Sequence, residues 1–278
     1  MNDLSLRAAQ RTREATTMKR WGLILFALVA ATAVAAQDVD DSCALGQWHG
    51  RAAEIEELLN GAEVLSVEDI GMGVTKPSRV KLQQGDVTID AAFKPIKRGR
   101  QGGFWESYQA EIATYKLDKL LGLGMVPPTV ERKVKKKKGS LQLWVHDCKL
   151  YRDVMAGTPQ TQSWSHQLSR MKMLDILINN DDRNAQNFLV DQDWHIVLID
   201  HSRAFASSKM LKNEKKLPNQ YDRELVEKLK TLDRETLDAN FKGTLMGGQI
   251  KAILERRDFL LSHVEKLIAE KGEARVFF

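Results

Sequence analysis

Cysteine is scarce: Cys43 and Cys148 are the only two in 278 residues. No CxxC pair, HExxH segment or His/Cys cluster accompanies them, so a structural zinc site has no support. The two could pair in an oxidising compartment, or Cys148 could stay a partly buried thiol. Long hydrophobic runs are also missing. The longest uncharged apolar stretch, Trp21 to Ala36, falls short of the roughly 20 residues a membrane-crossing helix needs. No internal repeat or low-complexity linker is present. Charge of one sign is weak as well: 42 Lys and Arg stand against 37 Asp and Glu, for a net charge of +5. Much of that surplus sits in residues 1–20, where Arg7, Arg11, Arg13, Lys19 and Arg20 outnumber Asp3 and Glu14. The remainder is close to balanced, so the basic pI points to no nucleic-acid partner.

A globular composition remains, 43% apolar and 28% charged, long enough for one large domain or two small ones. Met18-Lys19-Arg20, the apolar run and the small residues Ala33-Val34-Ala35-Ala36 before Gln37 fit a secretory signal peptide cleaved near Ala35 or Ala36. An uncleaved anchor or a buried apolar helix is the alternative, and Met18 fits as the start. The expected location is therefore exported: periplasm, secreted fraction or secretory-pathway lumen.

Residues 46–60 read as an amphipathic helix ending at Asn60-Gly61. Short alternating runs follow between Val64 and Phe93, the pattern of an antiparallel sheet. A helix fits Phe104 to Leu123, with Tyr108, Ile112, Tyr115 and Leu120 near helical spacing. Thr129–Val134 and Leu141–Val145 read as strands around Lys135-Lys136-Lys137-Lys138-Gly139. That lysine run reads as a solvated turn that keeps a sheet edge soluble, with phosphate or acidic lipid binding as the other reading. Residues 164–180 form a strong helix with Leu168, Met171, Leu174 and Ile178 on one face. Asn187–Val190 and Trp194–Ile199 make a hairpin around Asp191-Gln192-Asp193, and Gly247–Lys271 is helical. The expected fold is α+β and two-lobed, strand-rich then helical, with a cleft between. Its expected divisions are 1–36 (extension and signal peptide), 37–62 (helical segment), 63–146 (first lobe) and 147–278 (second lobe).

The densest chemical signal is Asp182, then Asn187 five residues later, then Asp200 at the end of Leu198-Ile199. An Asp placed before an Asn at this spacing, between a helix and a strand, lets the Asp face an acceptor hydroxyl while the Asn turns towards a metal. Asp and Asn are also ordinary turn residues, but an apolar strand running straight into Asp200 calls for a reason. Lys94 ends the apolar strand Ala91-Ala92-Phe93, and Glu111 follows on the next helix. Phosphoryl-transfer enzymes hold nucleotide phosphates with such a lysine–glutamate pair. Gly71-Met72-Gly73 could cover phosphates, but lacks the third glycine of GxGxxG.

The order Lys94, Glu111, Asp182, Asn187, Asp200 carries a resemblance. Residues 89–131, with Ala92-Phe93-Lys94-Pro95-Ile96-Lys97, Ala110-Glu111-Ile112-Ala113, Leu117-Asp118-Lys119-Leu120-Leu121 and Val126-Pro127-Pro128, are similar to the Golgi casein kinase family of secretory-pathway kinases. So are Leu177 to Arg183 and Ile199-Asp200 to Arg203-Ala204-Phe205. The phosphatidylinositol 3/4-kinase-like group is more distantly related. The resemblance implies an atypical protein kinase-like fold with the active site in the cleft. It makes Lys94 the phosphate-binding lysine, Glu111 its partner and near the metal, Asp182 the catalytic base and Asp200 the metal ligand. It also implies ATP with Mg²⁺ or Mn²⁺ as cofactors, and a protein or glycan as substrate. Asn187 departs from the acidic residue of the animal enzymes, whose cysteine-rich framework is absent too. Asp181 stands where typical protein kinases carry Arg, Asp-His-Ser replaces Asp-Phe-Gly, and no Ala-Pro-Glu segment follows. Three activities remain open: a kinase acting on an exported protein or glycan, a pseudokinase that binds nucleotide or a partner, and a lipid kinase that approaches membrane through Lys135–Lys138.

Overall fold

In β2 (Ser78–Gln84), Val80 and Leu82 are fully buried while Lys81 between them is exposed, the two-residue period of a sheet with one wet face. The computed structural model describes residues 44–71, 77–205 and 217–278; the expected signal peptide, Cys43 and Gly73 lie outside them. β1 (Glu63–Asp69), β2, β3 (Val87–Lys94), β6 (Thr129–Val134) and β7 (Lys137–Leu143) form an antiparallel sheet in the order β1-β2-β3-β7-β6. Its apolar face, with Val80, Leu82, Ala91, Phe93, Val130 and Leu141, closes on Ile55, Leu58 and Leu59 of α1 (Ala52–Gly61). The half-buried Cys148 packs at the edge of this core.

The helix expected over residues 46–60 is shorter. Residues 44–47 form a 3-10 turn, and Gly50 at φ 73 takes the chain through the left-handed region before α1 begins. The helix expected from Phe104 is also shorter. β4 (Gly99–Gln101) and β5 (Phe104–Glu106) form a small hairpin, turning at Gly102 and Gly103, which both have positive φ. Ser107, extended, then caps α2 (Tyr108–Leu121) by accepting the Gln109 N–H. The residues at helical spacing begin only at Tyr108, and the glycine pair and the Ser cap set the start there rather than at Phe104.

A second core gathers α4 (Gln162–Ile178), α5 (Arg223–Thr231), α6 (Arg234–Phe241) and α7 (Gly247–Lys271). Met171, Leu174, Leu177 and Ile178 of α4 meet Leu225, Leu237, Ile253 and Leu260 there. Ala110, Ala113, Leu117 and Leu121 of α2 belong to the same cluster, so the helix carrying Glu111 ties the sheet to the helical part. β8 (Lys149–Leu150), β9 (Phe188–Val190) and β10 (Ile196–Leu198) form a small antiparallel sheet on it. Three short pieces, α3 (Tyr151–Val154), a 3-10 turn at Met155–Gly157 and α8 (Glu273–Val276), complete the described elements. No described helix is long and apolar enough to cross a membrane. The order of elements is the expected one, a strand-rich part followed by a helical part.

Candidate active site

Lys94 is the last residue of β3, where the sheet meets α2, and Glu111 lies in the first turn of that helix. Ion pairing closes the gap: Lys94 Nζ donates to Glu111 Oε1 at 2.6 Å. It also donates to Asp200 Oδ1 at 3.0 Å. Glu111 is almost wholly buried, and its second oxygen accepts the backbone N–H of His201 at 3.0 Å. Burial alone lowers the Lys94 pKa, but the Asp200 and Glu111 carboxylates outweigh it and raise it above the usual lysine value. Burial likewise disfavours the Glu111 carboxylate, yet Lys94 and His201 hold it well below the ordinary range. The pair is therefore fully ionised at neutral pH.

Asp200 reaches Lys94 because the backbone turns sharply after β10: its φ is +58, in the left-handed region. Asp tolerates this conformation better than most residues, but such strain persists only where the surroundings enforce it. Here they do. The N–H of Ile199 donates to the carbonyl of Asn187, and Arg183 donates to the carbonyls of both Asn187 and Ile199. Arg183 is itself clamped by Asp175 of α4, with Nε to Oδ2 and Nη2 to Oδ1 each at 3.0 Å. Asn180 Nδ2 donates to the same carboxylate. The Asp182–Asn187 segment is thus locked against the β10 end that carries Asp200.

Within that segment Asn187 Nδ2 donates to the Asp182 carbonyl at 2.8 Å and lies 3.4 Å from Asp182 Oδ2. This commits the amide nitrogen and turns Oδ1 the other way. Asp182 and Asp200 are each about a third exposed, each with a side-chain accessibility of 35%. Carboxylate and amide oxygens are the donors that Mg²⁺ and Mn²⁺ prefer, so Asp200 and Asn187 fit the metal the fold implies. Gly71 follows β1 at φ 69, at the start of the β1–β2 connection, and is exposed; the rest of the expected phosphate-covering loop lies outside the described residues. Asp191, read from sequence as a turn residue, accepts the N–H groups of Asp193 and His195 as a turn residue does.

Four contributors were given no role in the sequence reading. Arg203 donates from Nε to buried Glu106 at 2.9 Å and from Nη1 to Asp182 Oδ2 at 3.2 Å, with its guanidinium 4.0 Å over the ring of Phe104. Asp175 stands in the apolar last turns of α4, and a charge between Leu174 and Ile176 was the available signal. His201 is wholly buried behind Glu111, and burial lowers its pKa. Asp118 of α2 is buried too, and accepts the Met125 N–H at 3.0 Å, which fixes the loop leading into β6.

Solved structures share this architecture. Hydra Fam20 with sugar superposes with a TM-score of 0.63 and 16% identity, covering 82% of this chain and 92% of that one. The Golgi casein kinase gives 0.62 and 17%, and its form with Mn and ADP bound gives 0.61 and 18%, each covering 82% of this chain and 79% of that one. At such identities the likeness shows the fold. No curated protein matches the chain in sequence. The profile of the phosphatidylinositol 3- and 4-kinase family, however, matches residues 70–270, from the end of β1 to the last turn of α7. By that match over most of its length, the chain belongs to the phosphatidylinositol 3- and 4-kinase family.

Proposed function

We propose that the protein is a metal-dependent kinase that moves the γ-phosphoryl group of ATP to a hydroxyl of an exported protein or glycan. The observation that carries this reading is Lys94 Nζ lying between Glu111 and Asp200, at 2.6 and 3.0 Å. A buried, ionised lysine held by one helix carboxylate and one hairpin carboxylate suits nucleotide phosphates. Lys94 would bind the α- and β-phosphates, with Glu111 holding its ammonium in place and Gly71 and Gly73 covering them. Asp182 would orient the acceptor hydroxyl and accept its proton late in transfer. Asp200 and Asn187 would hold Mg²⁺ or Mn²⁺, which supplies charge neutralisation at the phosphates when bound. The Mn and ADP in the Golgi casein kinase structure support these cofactors, and the sugar in the hydra structure supports a glycan as acceptor. Residues 63–146 would form the nucleotide-holding lobe and 147–278 the catalytic lobe, after an export segment (1–36) and a helical segment (37–62).

The family match favours one second reading, a lipid acceptor; it requires activity to depend on vesicles. The deciding experiment is thermal denaturation with ATP and Mn²⁺ or Mg²⁺, for wild type and Asp200→Ala. A metal-dependent rise in Tm that Asp200→Ala removes is expected, equivalent to about 2.7 kcal/mol when ligand is a hundredfold above Kd. No shift with any nucleotide or metal would sink the kinase reading in favour of a partner-binding pseudokinase.

A further inference from the structure

The turn between β6 and β7 breaks a local rule. Its two central residues are Lys135 at φ 45 and Lys136 at φ 68, both in the left-handed region. A two-residue hairpin turn of this kind favours Asn-Gly, because positive φ costs an ordinary side chain at both positions. Charge adds to the strain. Lys133 pairs directly across the ladder with Lys138, a like-charge pair that destabilises a sheet. Only Lys138 is relieved, by Glu131 at 2.7 Å; the other Glu131 oxygen accepts the Tyr108 hydroxyl at the start of α2. Lys135 donates to the Val67 carbonyl at 3.5 Å. Among the described residues Lys133, Lys136 and Lys137 have no acidic partner, and all are exposed.

Edge protection accounts for Lys133, which stands on the edge strand β6, but not for the turn. A charge guards an edge when it stands on the strand, whereas Lys135 and Lys136 lie beyond the ladder, where Asn-Gly would be as soluble and less strained. A strained turn with clustered like charge is the kind of local inconsistency that marks a surface kept for something else. We propose that the β6–β7 tip docks on an anionic membrane surface, with Lys133, Lys135, Lys136 and Lys137 set against lipid headgroups. Exposed ammonium groups at the turn complement a negative surface without needing a shaped pocket, and Lys138–Glu131–Tyr108 ties the hairpin to α2. This inference does not depend on the kinase reading, and its test has no catalytic readout.

The test is co-sedimentation of the full chain with phosphatidylcholine vesicles, with and without about 30% phosphatidylglycerol, since anionic lipid supplies the attracting potential. Wild type is expected to prefer the anionic vesicles, and to lose that preference in high salt. Replacing Lys135→Asn with Lys136→Gly should weaken anionic binding roughly thirtyfold, at about fivefold per lysine. Binding to neutral vesicles should not change, and because every variant keeps the same basic and apolar N-terminal residues, the difference between wild type and variant isolates the turn. The same variant should raise Tm, because it relieves both strained residues. A second variant, Lys136→Gln with Lys137→Gln, removes equal charge without relieving Lys135, and should lose binding to the same degree. Equal binding of wild type to both vesicles, or variants that bind anionic vesicles as wild type does, overturns the proposal. So does an absence of vesicle preference joined to a Tm rise in inorganic phosphate that the Lys135→Asn, Lys136→Gly variant loses, which would assign the tip to a free anion.

Discussion

Arg203 holds Asp182 from one side while anchoring itself on Glu106: its Nη1 lies 3.2 Å from Asp182 Oδ2 and its Nε 2.9 Å from Glu106 Oε1. Glu106, Asp182 and Asp200 together outweigh partial burial and hold the guanidinium more firmly protonated than usual. A cation fixed by a buried carboxylate is a rigid stop for the side chain expected to meet the acceptor. Arg203→Ala should therefore lower kcat by about a hundredfold, the usual cost of a misplaced reacting group. The nucleotide-dependent Tm shift should survive. Loss of that shift as well would mean that Arg203 serves the nucleotide rather than Asp182.

Asp182→Asn preserves volume and the bond network around Asn187 but removes the carboxylate. Turnover should fall by roughly a thousandfold, within the range of a lost general base, while ATP and metal still raise Tm. Unchanged turnover would withdraw the role given to Asp182.

Lys94→Met leaves Glu111 buried with the His201 backbone N–H and, at 3.7 Å, the His201 ring as its neighbours. Stripping one partner from a buried ion pair typically costs about 3–5 kcal/mol. Chemical denaturation should show a loss of that order without nucleotide, together with loss of the nucleotide-dependent shift. A stability change near zero would mean that Glu111 takes up a proton or another partner when Lys94 is gone.

Asp118 makes stability depend on pH. Burial raises its pKa from the usual carboxylate value to about 7, against the opposing N–H donors of Met125, Val126 and Gly124. A raised pKa means that the folded state holds the proton more tightly than the unfolded chain. The stabilising contribution is then full below about pH 4 and lost as pH rises to about 7. Asp118→Asn keeps an oxygen for the Met125 N–H and cannot ionise. The stability of Asp118→Asn relative to wild type should therefore increase between those pH values, measured by Tm across the range. A pH-independent difference would show that Asp118 stays charged in the fold.

Much of the site was legible because chemistry-bearing residues sit at element ends. Lys94 closes an alternating strand, Asp182 follows a strongly periodic helix, and Asp200 ends a short apolar strand. Each pattern is local, and spacing alone orders the three. The hairpin at Gly99–Glu106 was not legible, because three-residue strands carry too few alternations to outweigh the helical spacing around them. The lysine turn shows the same limit: sequence gives four lysines in a row but not which two sit at the bend, and the pairing register puts Lys135 and Lys136 there.

The sequence by itself determined the order of elements and singled out Lys94, Glu111, Asp182, Asn187 and Asp200 as candidates. It could do so because strand and helix periods and short turn spacings are set by neighbours along the chain. Tertiary structure alone decided that Lys94 meets Asp200 across 106 positions of sequence, that Arg203 joins Glu106 to Asp182, and that Asp175 clamps Arg183. Those contacts depend on how the packed cores bring distant side chains within a few ångströms. Desolvation and charge then act through space, where sequence distance no longer counts.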